Sequence, residues 1–238
     1  VSATLPSMGI EGVETATFNS WAMSIIRKVV RGRPFFKFHN VPTFVEEIKF
    51  SEEILNALGG WVEKQKHALD IEVVEIFKKW PGQIKSWKKA ENKAILPRLK
   101  DFAHDIKESN LPKFDKDKCL EFLKRKIFDL EDYVQDIYKL LADIVHLKNY
   151  LSPDTKLDSH LDYLKRLTEK NQAKNNLDYF DMSLILRLIQ LKNGGLPDGS
   201  GGVVLLDHLV IDEAQDFGPV EFAIMMSSVS DKRQVTIV

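Results

Sequence analysis

The chain lacks most of the features that would assign a class at a glance. It has one cysteine, Cys119, in 238 residues, which excludes an internal disulfide framework and a multi-cysteine metal site. A lone cysteine fits a reducing compartment. No apolar run approaches the roughly 20 residues that a membrane helix needs, and no signal peptide is visible; a cytoplasmic protein is expected. Neither sign of charge dominates. The 34 Lys and Arg nearly balance 35 Asp and Glu, for a net charge of -1, so any nucleic-acid surface must be local. The phosphate-loop string Gly-x-x-x-x-Gly-Lys-Ser/Thr is missing as well. Gly194, Gly195, Gly199, Gly201 and Gly202 crowd one stretch, but no lysine follows them, so they read as a flexible linker rather than a phosphate cradle. Without that string the chain by itself is not expected to hydrolyse a nucleoside triphosphate.

What is present centres on residues 209–217, Leu-Val-Ile-Asp-Glu-Ala-Gln-Asp-Phe. Three apolar residues run straight into Asp212 and Glu213, with Gln215 and Asp216 just beyond. A buried strand ending there brings its acids out at the carboxyl edge of a sheet, where open α/β sheets bind ligands. One carboxylate at that edge can hold Mg²⁺ together with waters and substrate phosphates. Its neighbour can orient or deprotonate an attacking water. The plain alternative is a solvated acidic turn after a strand.

Around this stretch the pattern is mostly helical. Residues 13–18 alternate like a short strand. Asn19 or Ser20 then serves as a helix cap, and that helix stops near Gly32 and Pro34. Thr43 and Glu46 form a capping-box pattern, and Gly59 and Gly60 are expected to close that helix. A helix over 61–80 ends at Pro81 and Gly82, and another covers 83–109 with a kink or break at Pro97. Leu120, Leu123, Ile127, Leu130, Val134, Ile137, Leu141 and Ile144 make a heptad seam. One helix over 118–147 would be roughly 45 Å long and would be the spine of a bundle. Ser152-Pro153-Asp154 starts another helix. Residues 177–191 read as a further, largely apolar one, Pro219 as the start of a helix, and 235–238 as a last strand. Strand signals fall near the two ends only. We therefore expect an α/β chain, mostly helical, in which a βα sheet domain is split by a large all-α insertion.

The string Val-Ile-Asp-Glu-Ala-Gln-Asp resembles the Mg²⁺-binding Asp-Glu-x-Gln-Asp motif (Walker B type) of superfamily-one DNA helicases related to UvrD, Rep and PcrA. Two further segments support the resemblance. Thr17-Phe18-Asn19-Ser20 looks like the family's Thr-Phe-His-Ser segment, which contacts single-stranded DNA; here Asn19 stands where His is usual. Asp178-Tyr179-Phe180-Asp181-Met182 resembles the family's Asp-Phe-x-Asp-Leu segment ahead of the acidic motif. Residues 234–238 resemble the lead into the family's next motif. The resemblance is specific over about 1–30 and 177–238 and covers the middle only as an insertion of suitable size.

The resemblance implies a partial RecA-like parallel sheet, with residues 1–30 and 177–238 in the motor domain and 31–176 as the helical insertion. It implies ATP and Mg²⁺ as cofactors of a longer parent protein, of which this chain is expected to be an internal piece. Asp212 would hold Mg²⁺ through a water, Glu213 would be the base for the attacking water, and Gln215 would sense the γ-phosphate. Thr17, Phe18, Asn19 and Ser20 would contact single-stranded DNA. A lysine-rich stretch over 78–100, with Lys85, Lys88 and Lys89 at its centre and Trp80 and Trp87 among them, and a first basic-aromatic stretch from Arg27 to Phe38 both suit single-stranded nucleic acid; the plain alternative is lysines on a solvated face and tryptophans in the core. For the 78–100 stretch the resemblance implies contact with the duplex backbone ahead of a fork. Two alternatives remain open. Residues 5–9 and 11–13 look like the corresponding segment of helicase-IV-like proteins that recycle RNA polymerase, which would make RNA polymerase the partner. Alternatively, the chain is a non-enzymatic helical module with the seam as a dimer interface. The fragment is expected to be a monomer, or a dimer produced artefactually through an exposed edge at 235–238.

Overall fold

One buried helix, Tyr179–Asn193, organises the chain. The computed structural model describes residues 15–32, 34–37, 41–153, 156–231 and 234–238; residues 5–13, which carry the RNA-polymerase alternative, lie outside them. In chain order the elements are α1 (Phe18–Val29), β1 (Phe35–Lys37), α2 (Thr43–Phe50), α3 (Glu52–Ile76), α4 (Pro81–Lys89), α5 (Ile95–Glu108), α6 (Lys113–Leu130), α7 (Tyr133–Ala142), α8 (Ile144–Lys148), α9 (Leu157–Ala173), β2 (Asn176–Asp178), α10 (Tyr179–Asn193), β3 (Leu209–Ile211), a single 3₁₀ turn (Ala214–Asp216), α11 (Pro219–Met226) and β4 (Val235–Ile237). The described residues are mostly helical, and among them lie two small parallel two-stranded sheets, β1–β2 and β3–β4. Among the described residues no helix is long and apolar enough to cross a membrane.

Helix α10 touches α1, α2, α3, α5, α7 and α11. Its Met182, Leu184, Ile185, Leu186, Leu188 and Ile189 are all buried, and so are its polar Asp181, Ser183, Gln190 and Lys192, so the helix is covered on every side, as a central helix is. Each such apolar side chain contributes roughly 1.5–3 kcal/mol by leaving water. Its start is fixed by a reciprocal cap: Asp178 Oδ1 accepts the Asp181 N–H at 3.1 Å, and Asp181 Oδ2 accepts the Asp178 N–H at 2.9 Å. Its end is fixed by Gly194 in the left-handed region, φ 75°, where glycine has no Cβ penalty. Buried residues from Ala22 of α1 to Ile224 of α11 form a single cluster.

Several local expectations are corrected. Thr15 to Thr17 are not a strand, and residues 13 and 14 lie outside the described residues. Thr17 rather than Asn19 or Ser20 caps α1, its Oγ1 accepting the Ser20 N–H at 3.2 Å. Thr43 is the first residue of α2 and makes no side-chain cap; Pro42 holds that position. Gly59 and Gly60 do not end a helix but lie inside α3. A Cβ on Gly60 would collide with the Tyr150 hydroxyl, so this glycine provides close approach rather than termination. Ser51 separates α2 from α3, its Oγ accepting the Ile54 N–H at 3.1 Å. The helix expected over 83–109 is broken between Lys89 and Ile95, with Pro81 opening α4. Pro97 causes neither a kink nor a break, because it lies in the first turn of α5, where the missing N–H is not needed. Leu177 belongs to β2 rather than to a helix.

The largest correction concerns the seam. The single 118–147 helix is three helices, α6, α7 and α8. Asp132 caps α7 through the Gln135 N–H at 3.1 Å, and Asp143 caps α8 through the His146 N–H at 3.0 Å. The Leu130 carbonyl, left without a helical partner at the end of α6, accepts Lys192 Nζ at 2.8 Å. Leu123, Leu130, Val134, Ile137 and Leu141 are buried by the chain's own helices. Strands are also not confined to the ends: β1 and β2 pair in parallel, Phe35 with Asn176, Phe36 with Leu177 and Lys37 with Asp178.

Lys192 is fully buried and paired with Asp136, whose other oxygen accepts from Gln65 Nε2 at 2.9 Å. Burial pulls the Lys192 ammonium below the ordinary lysine range, and Asp136 opposes that pull. Removing the carboxylate strands a buried cation. Asp136→Ala should therefore lower unfolding free energy by about 3–5 kcal/mol, while Asp136→Leu with Lys192→Met should recover most of that loss; urea denaturation of the three proteins measures both.

Candidate functional site

The site is built at the end of β3. Ile211 is buried at 3% exposure, and the chain surfaces at the next two residues, Asp212 and Glu213, both exposed. The partner strand β4 runs parallel in register, Leu209 with Val235 and Ile211 with Ile237. Glu213 adopts φ 55° and ψ 45°, the left-handed region that few non-glycine residues occupy. Such backbone outliers gather at functional sites, where the surroundings hold them. One 3₁₀ turn follows, and the Gln215 amide donates to Glu213 Oε2.

The turn is anchored from behind. A Cβ on Gly218 would strike the Phe50 ring, so the backbone of the turn lies directly on α2. Phe50 in turn meets Phe180 edge-on at 4.7 Å. Pro219 opens α11 as expected. Glu221 is buried; it accepts the Gly218 N–H at 3.2 Å and the Ser183 hydroxyl at 3.1 Å. Burial pushes its carboxyl up, and these two hydrogen bonds work against the shift.

The structure brings the three singled-out segments together. The Phe18 ring meets Phe217 edge-on, with centroids 6.0 Å apart. The Tyr179 hydroxyl donates to Asn19 Oδ1. Thr17 is occupied in capping α1, and Ser20 is exposed. Behind them, Lys49 Nζ lies 2.5 Å from Asp178 and 2.6 Å from Asp181, all three side chains 3% exposed or less. Burial works to lower the Lys49 pKa, but the two carboxylates outweigh it and hold the ammonium above its ordinary value. Sequence reading missed Lys49, Glu221 and the Tyr179 bond. A signal existed for the first: Lys49 lies four residues after Val45, on the apolar face of α2.

The donor chemistry at Asp212 and Glu213 suits a hard cation that keeps waters and borrows phosphate oxygens. Among the described residues no group of three or more His, Cys, Asp or Glu forms a ready-made metal cage.

The basic surfaces are smaller than the sequence suggests. Trp87 is core, not a platform: it donates to Asp70 at 2.7 Å and carries the Arg98 guanidinium 3.7 Å above its ring. Arg98 is buried and pairs with Asp70 at 2.9 Å. Lys78, Lys93 and Lys100 pair with Glu75, Asp101 and Glu131. Lys79, Lys85, Lys88 and Lys89 are exposed and have no ion pair among the described residues. In the first patch Arg31 pairs with Glu131 at 2.6 Å, Arg27, Lys28 and Lys37 are exposed, and Arg33 and Phe38 lie outside the described residues.

No protein-family model, curated protein or solved structure matches the chain.

The backbone at Glu213 yields a direct test. Glycine accepts this conformation without steric cost, whereas a β-branched residue does not. In urea denaturation, Glu213→Gly should stay within about 0.5 kcal/mol of the parent, and Glu213→Val should lose about 1–2 kcal/mol. Equal losses would show that position 213 does not hold the left-handed conformation.

Proposed function

We propose that this chain is part of an ATP-driven DNA motor of the UvrD/Rep type. It supplies the Asp-Glu-x-Gln-Asp half of the nucleotide site, a single-strand contact segment and the helical insertion, while the phosphate loop comes from elsewhere in the motor. On this reading the two small parallel sheets are portions of a RecA-like sheet. The observation that carries the reading is the convergence of the three segments: Phe18 packs on Phe217, and Asn19 is bonded to Tyr179, 160 positions away. A helix cap and an acidic turn with unrelated roles would have no need to meet.

When bound, Mg²⁺ would offset the charge that develops on the transferred phosphoryl group. The chain's own residues have distinct tasks. Asp212 would hold Mg²⁺ through a water. Glu213 accepts the proton of the attacking water, as a carboxylate in hydrogen-bond reach can. Gln215, already bonded to Glu213, links that base to the γ-phosphate end of the site. The start of α1, with Asn19 and Ser20, receives phosphates of a single strand, an arrangement favoured by the helix dipole. Lys85, Lys88 and Lys89 lie three and four positions apart on α4 and add a local cationic stripe for a duplex backbone.

The parent motor should show ATP turnover stimulated by single-stranded DNA. Glu213→Gln should cut its kcat by at least about 10²-fold with little change in KM for ATP; an unaltered kcat would overturn the assignment. The chain alone should show no turnover, and turnover by the chain that Glu213→Gln abolishes would refute the missing phosphate loop. Charge reversal at Lys85, Lys88 and Lys89 should weaken duplex binding and reduce the slope of log affinity against log salt by up to about 3. An unchanged slope would reduce the stripe to a solvated face.

A further inference from the structure

The bond between Tyr179 and Asn19 fixes more than packing. A side-chain amide has one acceptor oxygen and two N–H donors at its other end. The Tyr179 hydroxyl donates to Asn19 Oδ1, so the oxygen is engaged and the amide cannot turn over without losing that bond. Asn19 Nδ2 has no hydrogen-bond partner among the described residues, and the side chain is only partly buried. The group it can meet is therefore an acceptor, and next to the exposed Ser20 it can reach one from outside. Phosphate oxygens are such acceptors, and a charged acceptor strengthens the bond.

Tyr179 is well placed to do the holding. It is the first residue of α10, whose start is fixed by the Asp178–Asp181 cap and by Lys49. Its ring meets Phe180 edge-on at 5.7 Å. Burial pushes its hydroxyl above the ordinary tyrosine range, so the hydroxyl keeps its proton at neutral pH. Asn19 and Tyr179 are also positions at which their two segments depart from the patterns they resemble, Asn for His and Tyr for Phe, the second segment departing again at Met182, which stands where Leu is usual. The departures at Asn19 and Tyr179 are bonded to each other.

We propose that Tyr179 is a positioning residue: its hydroxyl turns the Asn19 amide so that Nδ2 faces a backbone phosphate of a bound single strand. The proposal rests on the reading that a single strand passes this segment. It is tested with the chain itself, by fluorescence anisotropy with a labelled oligothymidylate at low salt. Tyr179→Phe, which removes only the hydroxyl, should weaken binding about 5-fold, the scale of one hydrogen bond. Asn19→Ala should weaken it at least as much, and adding Tyr179→Phe to Asn19→Ala should cost nothing more. Asn19→Asp keeps the acceptor for Tyr179 but exchanges the outward donor for charge, and should bind worst. A structural bond alone would lower the thermal midpoint of Tyr179→Phe and leave affinity unchanged, and that outcome overturns the proposal. So do losses from the two single variants that multiply in the double variant. If the unsubstituted chain fails to bind the oligonucleotide, the single-strand reading falls and this proposal falls with it. Binding that Tyr179→Phe leaves intact removes this proposal alone.

Discussion

Two buried lysines hold the central helix by its ends, and the rest of the structure is arranged around that helix. At its start, Lys49 of α2 reaches both Asp178 and Asp181. At its end, Lys192 reaches Asp136 of α7 and the last carbonyl of α6. Each charge is costly to bury, so these clusters contribute little net stability against an apolar alternative. They do specify position. An all-apolar helix could slide or rotate among its neighbours with modest loss, because dispersion is not directional. A buried ammonium that must find its carboxylate cannot.

Fixing α10 fixes the site. The N-terminal end of the helix presents Tyr179 to α1, and so places Asn19. Its flank carries Ser183, which bonds Glu221 at the start of α11. The acidic turn between β3 and α11 is then held from two directions, by the Gly218 backbone against Phe50 and by the Phe217 ring against Phe18. Glu213 can occupy a disfavoured backbone conformation because both ends of its turn are tied down. The same anchoring leaves Asp212, Glu213 and Gln215 at the surface, where a ligand can reach them.

Surface charge shows how far a one-dimensional count can mislead. Residues 78–100 hold eight cations against one acid, yet half of those cations are paired: Lys78 and Lys93 with nearby Glu75 and Asp101, Arg98 and Lys100 with Asp70 and Glu131 from elsewhere in the chain. Glu131 alone takes both Arg31 and Lys100, and Asp70 takes Arg98 and Trp87 together. Lys79 and a stripe on α4 are left without an ion pair among the described residues. A patch assigned from sequence has to be reduced by every carboxylate that the fold delivers from elsewhere.

The features determined by sequence alone are those set by a few adjacent residues. The apolar run into Asp212 and Glu213, the glycine linker, Pro219 as a helix start, and the mostly helical character with parallel strands beside the acidic motif all follow from local propensity and turn chemistry. The tertiary structure decided what depends on partners distant in sequence. The heptad spacing continues across Glu131 and Asp132, so periodicity alone could not show that the helix breaks there; the break is stabilised by Lys192, 62 positions from Leu130. Gly60 reads as a terminator until Tyr150 arrives against it. Strands of three residues at 35–37 and 176–178 are too short to announce themselves and exist because they pair with each other. The bond from Tyr179 to Asn19 joins two segments that sequence could single out but not connect. In each case the reason is the same: a hydrogen bond, a collision or an ion pair is a relation between two places, and only the folded chain brings the two together.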